Sequence, residues 1–251
     1  MSESDIIVRP EHFLRYLREA LGLRSAETRL PPIGVLVFSS GDFRAFHRII
    51  EGQVKGWNRW LSVGAAGRKS ISLARSPIGA PAATITMEEM AALGCRTFLS
   101  FGACGSLLPD LRIGDVVLPT FAFSDEGTSR HYGKTSQLRP DAGFVRAIAV
   151  AAEKRAIPIR SGGTWTTDAV YRESRTRARD LVRHGVVAVE MEAAALWAVS
   201  RHRHLRTASL LVVSDELGGK EWNAGFDDPR FLEGKRRARR LLMDVISGDL
   251  T

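Results

Sequence analysis

Short apolar runs alternate along the chain with stretches whose apolar residues recur at helical spacing. Strands are predicted from the apolar or alternating runs at 33–38, 69–75, 97–101, 114–119, 159–165, 186–189 and 207–213. Helices are predicted at 11–21, at 44–51, from the break at 76–81 to about residue 93, and at 141–154, 191–201 and 229–247. This succession is typical of an α/β protein with a mostly parallel sheet and helices on both faces.

Small and polar residues recur just after the predicted strands. They are Gly41-Asp42, Gly79, Gly102-Ala103-Cys104-Gly105, Thr167-Asp168, Glu190-Met191-Glu192 and Ser214-Asp215. The carboxyl ends of parallel strands lie at one edge of a sheet, and ligands of α/β proteins bind at that edge. The recurrence therefore predicts a single shared cleft.

Length and composition favour one soluble globular domain. The chain has 251 residues, and no internal repeat or low-complexity linker divides it. We therefore expect one domain over residues 1–251, with residues 1–30 as a helical lead-in. A hydrophobic content of 44% and a charged content of 25% are ordinary for such a domain. No apolar run approaches the roughly 18 residues that a membrane span needs, so no membrane partner is expected.

The cysteines and the N-terminal residues indicate a cytoplasmic protein. Cys95 and Cys104 do not have the spacing of metal ligands, which favours reduced thiols. Residues 1–10 lack the basic-then-apolar order of a signal peptide. Neither a metal site nor a cofactor motif is expected.

The chain is basic, with a formal net charge of +8 and a pI of about 10.1. Its densest basic run, 235–240, is followed by the apolar residues Leu241, Leu242, Val245 and Ile246. We interpret the run as the solvated face of a terminal amphipathic helix. No aromatic residues lie within it, so no nucleic-acid partner is expected. A nucleic-acid binder that uses this helix is the alternative, and it would show affinity that falls steeply with salt.

Two carboxylates stand where the apolar strand 186–189 meets an alanine-rich helix. Glu190 and Glu192 adjoin a continuous apolar run, where a carboxylate needs donors. Sugar hydroxyls are suitable donors. The alternative is that both acids cap the following helix, whose N-terminus attracts negative charge.

Several separate motifs resemble one family of enzymes. The segments 79–89, 96–102 and 114–117 resemble uridine phosphorylases, whereas 190–194 and 214–215 resemble the wider nucleoside phosphorylase and nucleosidase superfamily. The likeness runs in order from about residue 33 to residue 246. It implies a three-layer αβα fold around a twisted, partly barrel-like mixed β-sheet. It also implies cleavage of the bond between a ribose and a nucleobase, in a homo-oligomer that is a dimer or a hexamer.

The resemblance assigns the two acids and the residue between them to the ribose. Glu192 would hold the 2′- and 3′-hydroxyls, and Met191 would pack under the sugar. A carboxylate that grips these hydroxyls more tightly as the sugar becomes positive stabilises the transition state, so Glu192 counts as catalytic. Glu190 would line the sugar pocket or serve as a structural carboxylate.

The resemblance places the base near Asp215. In purine-handling relatives an acid at this position protonates a ring nitrogen of the leaving base; the alternative is a turn or helix cap. Tyr171 is the candidate that stacks on the base. The remaining candidates for the base site are Thr167, Asp168 and Gly105. The glutamine that reads uracil in uridine phosphorylases is absent from 172–177, so the preference between purines and pyrimidines stays open.

The phosphate-binding pattern of the family is incomplete in this chain. Gly41 and Arg44 correspond to its first turn, although the arginine comes one place early and the proline is missing. Ser100 stands where the family has a second arginine, and Ala103 replaces its phosphate-binding serine or threonine. A third arginine usually comes from a neighbouring subunit, and Arg59 or Arg68 lies in the corresponding region.

Three functions follow from this pattern. The first is phosphorolysis of a nucleoside, with inorganic phosphate as co-substrate in a rearranged site and no other cofactor. The second is hydrolysis by water, as in a nucleosidase, because two donors for phosphate are lost. The third is binding of a nucleoside or nucleotide without turnover.

Overall fold

The computed structural model of the chain describes residues 5–136 and 138–248. Its strands are β1 (Ile33–Val37), β2 (Gln53–Lys55), β3 (Asn58–Ala66), β4 (Lys69–Arg75), β5 (Thr97–Ser106), β6 (Val116–Asp125), β7 (Ile159–Thr167), β8 (Val186–Glu190), β9 (Arg206–Glu216) and β10 (Asn223–Ala224). Its α-helices are α1 (Pro10–Leu21), α2 (Ser25–Thr28), α3 (Ser40–Ile49), α4 (Ala80–Ala92), α5 (Ala142–Lys154), α6 (Arg175–Arg183), α7 (Ala193–Arg203) and α8 (Pro229–Ser247). Two 3-10 helices cover Ser129–Tyr132 and Val170–Arg172.

The strands form one mixed sheet that closes on itself at one end. Strand β5 pairs with both β8 and β9, and β9, β6, β7 and β8 follow one another, so these five strands form a closed ring. Strands β1, β4, β3 and β2 extend the sheet outward from β5, in that order. The predicted α/β fold with a partly barrel-like mixed sheet is confirmed.

Helices cover the two faces of the sheet, because successive residues of a strand point to opposite sides. Val35 and Val37 of β1 pack with the cluster that includes α3, α5 and α8. Leu36, between them, packs with the cluster of α1, α4 and α7. Within the described part of the chain, no helix is long and apolar enough to cross a membrane.

The expectation of a mostly parallel sheet is wrong for half of the strand pairs. Strands β3 and β4, β5 and β8, and β6 and β9 run antiparallel. The hairpin of β2 and β3 and the helix α6 were not predicted. Strand β2 has three residues, two of them polar, β3 does not alternate clearly between apolar and polar residues, and α6 is rich in arginine. Pairing across the ring, which no local pattern encodes, sets these directions.

The turn predicted at 102–106 is instead the last part of β5. Its small residues mark close packing inside the ring. A Cβ atom on Gly105 would lie 2.3 Å from Leu217 Cδ1 and 3.1 Å from Val189 Cγ1. Only glycine leaves room for both neighbours, so the glycine-rich sequence allows the strand to continue between β8 and β9.

The basic run of α8 is not wholly solvated, contrary to our interpretation. Lys235 and Arg239 are only 13% and 16% exposed at their side chains, and both pair with the buried carboxylate of Asp42, at 2.7 and 3.2 Å. Ser39 Oγ also donates to this carboxylate. The two basic residues therefore anchor α8 to the first turn of α3.

We predict that Asp42→Asn destabilises the protein by about 3 kcal/mol or more, because it leaves two nearly buried cations without their partner. Urea unfolding measures the loss. Asp110→Asn is the matched control, since it breaks an exposed ion pair with Arg160 and should cost less than about 1 kcal/mol. Equal losses in the two variants would contradict the anchoring role of Asp42.

Candidate active site

The predicted site residues of four strands converge on one region of the ring. Gly105 of β5 pairs with Val189 of β8 and with Asp215 of β9. Glu190 pairs with Thr166 of β7. Because β8 runs antiparallel to β5, its carboxyl end points back along β5 toward Ala103. The cleft therefore lies along the last part of β5 and not only at the carboxyl ends of parallel strands.

Glu190 is a buried carboxylate whose two oxygens accept hydrogen bonds from protein groups. Oε1 accepts from the hydroxyl of Thr166, and Oε2 accepts from the backbone N–H groups of Glu192 and Ala193, at 2.8 and 2.7 Å. The same Thr166 hydroxyl accepts from the N–H of Ala194 at 3.0 Å. Three amides at the N-terminus of α7 are thus satisfied.

These bonds favour the structural alternative for Glu190. Both oxygens are engaged inside the protein, and burial raises the pKa of this carboxyl group above its ordinary value. A group that has its donors already gains little from a sugar hydroxyl. Of the two acids at the junction, the helix-capping interpretation applies to Glu190.

Glu192 is buried as well but differs in its partners. It is the N-cap residue of α7, and its side chain makes no capping hydrogen bond. Oε1 instead accepts from the N–H of Gly79 at 2.7 Å, and Oε2 forms none of the hydrogen bonds found among the described residues. Gly79 has a φ of 104°, which favours glycine and presents this amide at the start of α4.

The environment of Glu192 favours its neutral form. Burial, and next the negative charge of Glu190, raise the pKa of Glu192 to about 8. The N–H groups of Gly79 and Met191 act in the opposite direction. Additional donors, such as two hydroxyls, would favour the ionised form.

Met191 and Ala103, two further candidates, differ in exposure. Met191 is half-buried. Ala103 is exposed although its neighbours Gly102 and Cys104 on β5 are buried, so this strand opens to solvent at one position.

Asp215 is half-buried at the carboxyl-terminal part of β9, and two side chains hold it. Ser214 Oγ donates to Oδ1 at 2.6 Å, and the indole N–H of Trp222 donates to Oδ2 at 2.8 Å. Gly105 leaves space next to it, since a Cβ atom there would lie 3.2 Å from Oδ2. The carboxylate thus has a defined orientation.

The end of β7 and the loop after it hold Thr167, Asp168 and Tyr171, and the first two of these side chains accept hydrogen bonds from backbone N–H groups. Thr167 is buried and accepts from the N–H of Ala169, and Asp168 accepts from the N–H of Gly127. Tyr171 is 97% exposed, so it stacks on no group in the part of the chain that the structure describes. Any stacking role needs a ligand.

Glu173 is a functional candidate that sequence reasoning missed. It is half-buried, and burial together with the negative charge of Asp215 raises the pKa of Glu173 to about 7. Arg175, two residues later, donates to the carbonyl oxygens of Gly219 and Lys220. This segment is therefore joined to the hairpin beside Asp215, a pairing that no motif signals.

The four residues predicted to bind phosphate differ in whether they can donate a hydrogen bond to a ligand. Gly41 lies in the first turn of α3, which begins at Ser40, and Arg44 is exposed on the same helix. Ser100 is buried and donates to Ser209 Oγ at 2.7 Å. Ala103 has no polar side chain. Only Gly41 and Arg44 present donors to a ligand.

Arg75 is a second cation at this edge, and sequence reasoning missed it. It ends β4 opposite Val37, the last residue of β1, just before α3. Its guanidinium lies 4.0 Å over the ring of Trp60, which packs edge-on against Phe43 of α3. Its buried Nε–H has no hydrogen-bond partner among the described residues. The position of this arginine at the end of a predicted strand was the feature of the sequence that could have pointed to it.

Both cysteines are buried free thiols. Burial raises the pKa of Cys95 to about 12, and it raises that of Cys104 well above its usual range, together with the charges of Asp215 and Glu190. Both thiols are therefore neutral. Among residues 5–136 and 138–248, no His, Cys, Asp and Glu side chains are grouped to hold a metal ion.

Comparisons with known proteins show which sequences this chain resembles. A sequence model of the family described as the phosphorylase superfamily matches residues 32–247. Guanosine phosphorylase of Halorubrum lacusprofundi is 32% identical over 182 residues, which are 70% of this chain and 76% of that protein. A DeoD-type purine nucleoside phosphorylase of Jannaschia sp. is 33% identical over 150 residues, which are 59% of this chain and 64% of that protein.

The fold is also found in a solved structure. The crystal structure of purine nucleoside phosphorylase from Toxoplasma gondii, in complex with immucillin-H, has a TM-score of 0.79. The alignment covers 90% of this chain and 93% of that one, with 20% sequence identity. At this identity the likeness concerns the fold.

We predict that the wild type loses stability relative to Glu192→Gln as the pH rises from about 5 to about 9. Glu192 ionises near its ordinary pKa in the unfolded chain but only near 8 in the folded protein. The stability that the neutral group provides is therefore lost as the pH rises through about 8. Urea unfolding of both proteins across this range measures the difference. A pH-independent difference would show that the environment of Glu192 does not perturb it.

Proposed function

This chain belongs to the phosphorylase superfamily, and we propose that it is a purine nucleoside phosphorylase. In this reaction the C1′–N bond of the nucleoside breaks, a phosphate oxygen bonds to C1′, and the base leaves with a proton. The observation that carries the proposal is the presence of two acids near Gly105: Glu192, a buried acid just after β8, and Asp215, an oriented acid on β9, with both strands paired to β5 at Gly105. The match to the family model confirms, at the level of the superfamily, the resemblance seen in the sequence.

Glu192 acts on the ribose. As the C1′–N bond lengthens, positive charge builds on the sugar, and hydrogen bonds from the ribose hydroxyls to a carboxylate become stronger. These hydroxyls would also convert Glu192 to its ionised form, against the burial that favours the neutral one. Met191 packs under the sugar beside it. Glu190 supports both residues through its bonds to the first turn of α7.

Asp215 acts on the base. The electrons of the C1′–N bond move into the purine, and the developing negative charge is neutralised when a ring nitrogen takes a proton from Asp215. A purine offers such a nitrogen, whereas uracil does not. Glycine at position 105 keeps space next to this carboxyl group. Tyr171, Thr167 and Asp168 stay candidates for the walls of the base site.

The phosphate site combines the start of α3 with two arginines. The N-terminus of a helix attracts an anion through its amides and its dipole, and Gly41 lies in the first turn of α3. Arg44 and Arg75 make no ion pair among the residues that the structure describes, so both cations are available. Arg75 would supply the charge that the family has at the position of Ser100.

Hydrolysis is the second candidate. Two observations favour it: Ser100 is buried against Ser209, and Ala103 lacks a hydroxyl. Water would then attack C1′ in place of phosphate, with Glu192 and Asp215 in the same roles. The third function, binding without turnover, does not require an oriented acid such as Asp215.

Some expectations from the sequence stay predictions. They are assembly as a dimer or a hexamer, an arginine donated across the interface, action in the cytoplasm, and the absence of any cofactor besides phosphate. The expected likeness to uridine phosphorylases in particular also stays a prediction, since the relatives named above are a guanosine phosphorylase and a purine nucleoside phosphorylase.

The test is base release from inosine, guanosine and uridine, with and without phosphate, by the wild type and by Asp215→Asn. We expect release from the purine nucleosides only when phosphate is present. Asp215→Asn should lower this turnover by about 10² to 10⁴, because an amide can donate a hydrogen bond but is too weakly acidic to transfer a proton. Asp227→Asn, at an exposed aspartate, is the control and should match the wild type.

The other outcomes separate the alternatives. Purine release that is independent of phosphate would identify a nucleosidase. No release under any condition, together with a thermal shift upon addition of nucleoside, would identify a binding protein. Full activity of Asp215→Asn would remove Asp215 from the mechanism.

We predict that Arg75→Gln raises the KM for phosphate by about tenfold or more, because one charge-assisted hydrogen bond to the anion is lost. The KM for the nucleoside should stay within about twofold, since the variant changes the anion site alone. Steady-state kinetics with each substrate varied in turn measure both constants.

Arg139→Gln is the matched control, since Arg139 also lies over an aromatic ring, that of Phe121. Phe121 belongs to β6, which is not part of the proposed phosphate site. It should leave both constants unchanged. An unchanged KM for phosphate in Arg75→Gln would mean that Arg75 serves only to pack on Trp60.

A further inference from the structure

We propose that Trp222 is the positioning residue for the catalytic acid: its indole N–H holds Asp215 toward the base and stabilises the carboxylate that forms when the proton leaves. The proposal rests on the proposed function, in which Asp215 protonates the departing purine. Neither the motifs in the sequence nor the resemblance to the family assigns a role to Trp222.

The geometry at Asp215 leaves it little rotational freedom. The indole N–H of Trp222 donates to Oδ2 at 2.8 Å, and Ser214 Oγ donates to Oδ1 at 2.6 Å. Two donors on different oxygens fix the plane of a carboxylate, whereas one donor would let it rotate. Ser214 Oγ also lies 3.2 Å from the carbonyl oxygen of Cys104, so its single proton lies between two acceptors and the shorter bond is the one to Asp215. The bond from Trp222 is therefore the second of two restraints.

The backbone around Trp222 is built to hold the indole in this place. Trp222 directly precedes β10, which pairs with the end of β9, so that Ala224 lies opposite Asp215. The connecting residues 217–222 return along the strand. Arg175 donates to the carbonyl oxygens of Gly219 and Lys220 in this connection. Both ends and the middle of the hairpin are thus fixed, and Trp222 reaches the carboxylate from a restrained backbone.

Burial does not account for the presence of this residue. Trp222 is 62% exposed, and the aromatic ring that lies beside it in the described part of the chain is that of Phe226, tilted and 6.4 Å away between centroids. A side chain that keeps most of its apolar surface in water gains little from the hydrophobic effect. The directed hydrogen bond to Asp215 is its most specific interaction within the protein.

The hydrogen bond acts on the rate through a change in charge. Before transfer the acid is neutral, and after transfer it is a carboxylate. An N–H group binds a charged acceptor more strongly than a neutral one, so the bond from Trp222 strengthens as the reaction proceeds. An interaction that is stronger in the transition state than in the ground state raises kcat. From the difference between charged and neutral hydrogen bonds we expect an effect of about tenfold.

The test compares two nucleosides that differ in their need for the proton. The base of inosine leaves only when one of its ring nitrogens is protonated. N7-methylated inosine already carries a positive charge on that ring, so its base leaves without a proton from Asp215. We expect Trp222→Phe to lower kcat for inosine by about tenfold and to leave kcat for N7-methylated inosine within about twofold.

Two further variants complete the experiment. Trp222→His restores a ring N–H donor and should recover most of the kcat for inosine. Phe226→Leu is the matched control, since it removes the neighbouring aromatic ring without touching the bond to Asp215, and it should leave kcat for both nucleosides unchanged. Thermal unfolding of each variant shows that the fold is retained.

The outcomes distinguish this proposal from the one on which it rests. Equal losses on the two nucleosides, or no loss on either, with an active wild type, would overturn the role of Trp222 alone. A failure of Trp222→His to recover activity, while it folds as the wild type does, would also count against the role of the donor. A wild type that releases no base from either nucleoside would overturn the proposed function, and the role of Trp222 with it.

Discussion

The buried carboxylate of Glu190 holds the candidate active site together. It accepts from Thr166 at the end of β7 and from two amides at the start of α7, while it ends β8 itself. Three elements that are distant in sequence therefore meet at one charge. A buried carboxylate is costly unless its hydrogen bonds are satisfied, so these elements must keep this arrangement. The direction in which Met191 and Glu192 leave the strand follows from it.

Three acids in the same cleft have different environments, and their roles follow from the environments. Glu190 is saturated by protein donors and is structural. Glu192 accepts a hydrogen bond from the N–H of Gly79, and burial together with the charge of Glu190 raises its pKa to about 8, so it can respond to donors from a ligand. Asp215 is half-buried and is oriented by two side chains, Ser214 and Trp222. This division separates support of the fold, binding of the sugar and proton transfer to the base.

Local sequence patterns were sufficient for much of the succession of strands and helices and for placing the acids near the carboxyl ends of β8 and β9. They were not sufficient for features that depend on pairing between distant segments. The antiparallel course of β8 against β5 closes the ring, and no property of residues 186–190 encodes it. Likewise the contact of Asp42 with α8, the place of Arg75 beside α3, and the bond from Trp222 to Asp215 arise only in the folded chain. Small residues at 102–105 indicated a turn, because close packing and chain reversal favour the same residue types.

The central claim is that phosphate attacks the sugar in a site whose phosphate ligands differ from those of the family pattern. The most direct measurement is phosphorus NMR of the wild type with inosine and inorganic phosphate, with the released base quantified in the same sample. Our account predicts a new sugar phosphate signal, that of ribose 1-phosphate, in equal amount to the hypoxanthine released. Release of hypoxanthine with free ribose and an unchanged phosphate signal would contradict it.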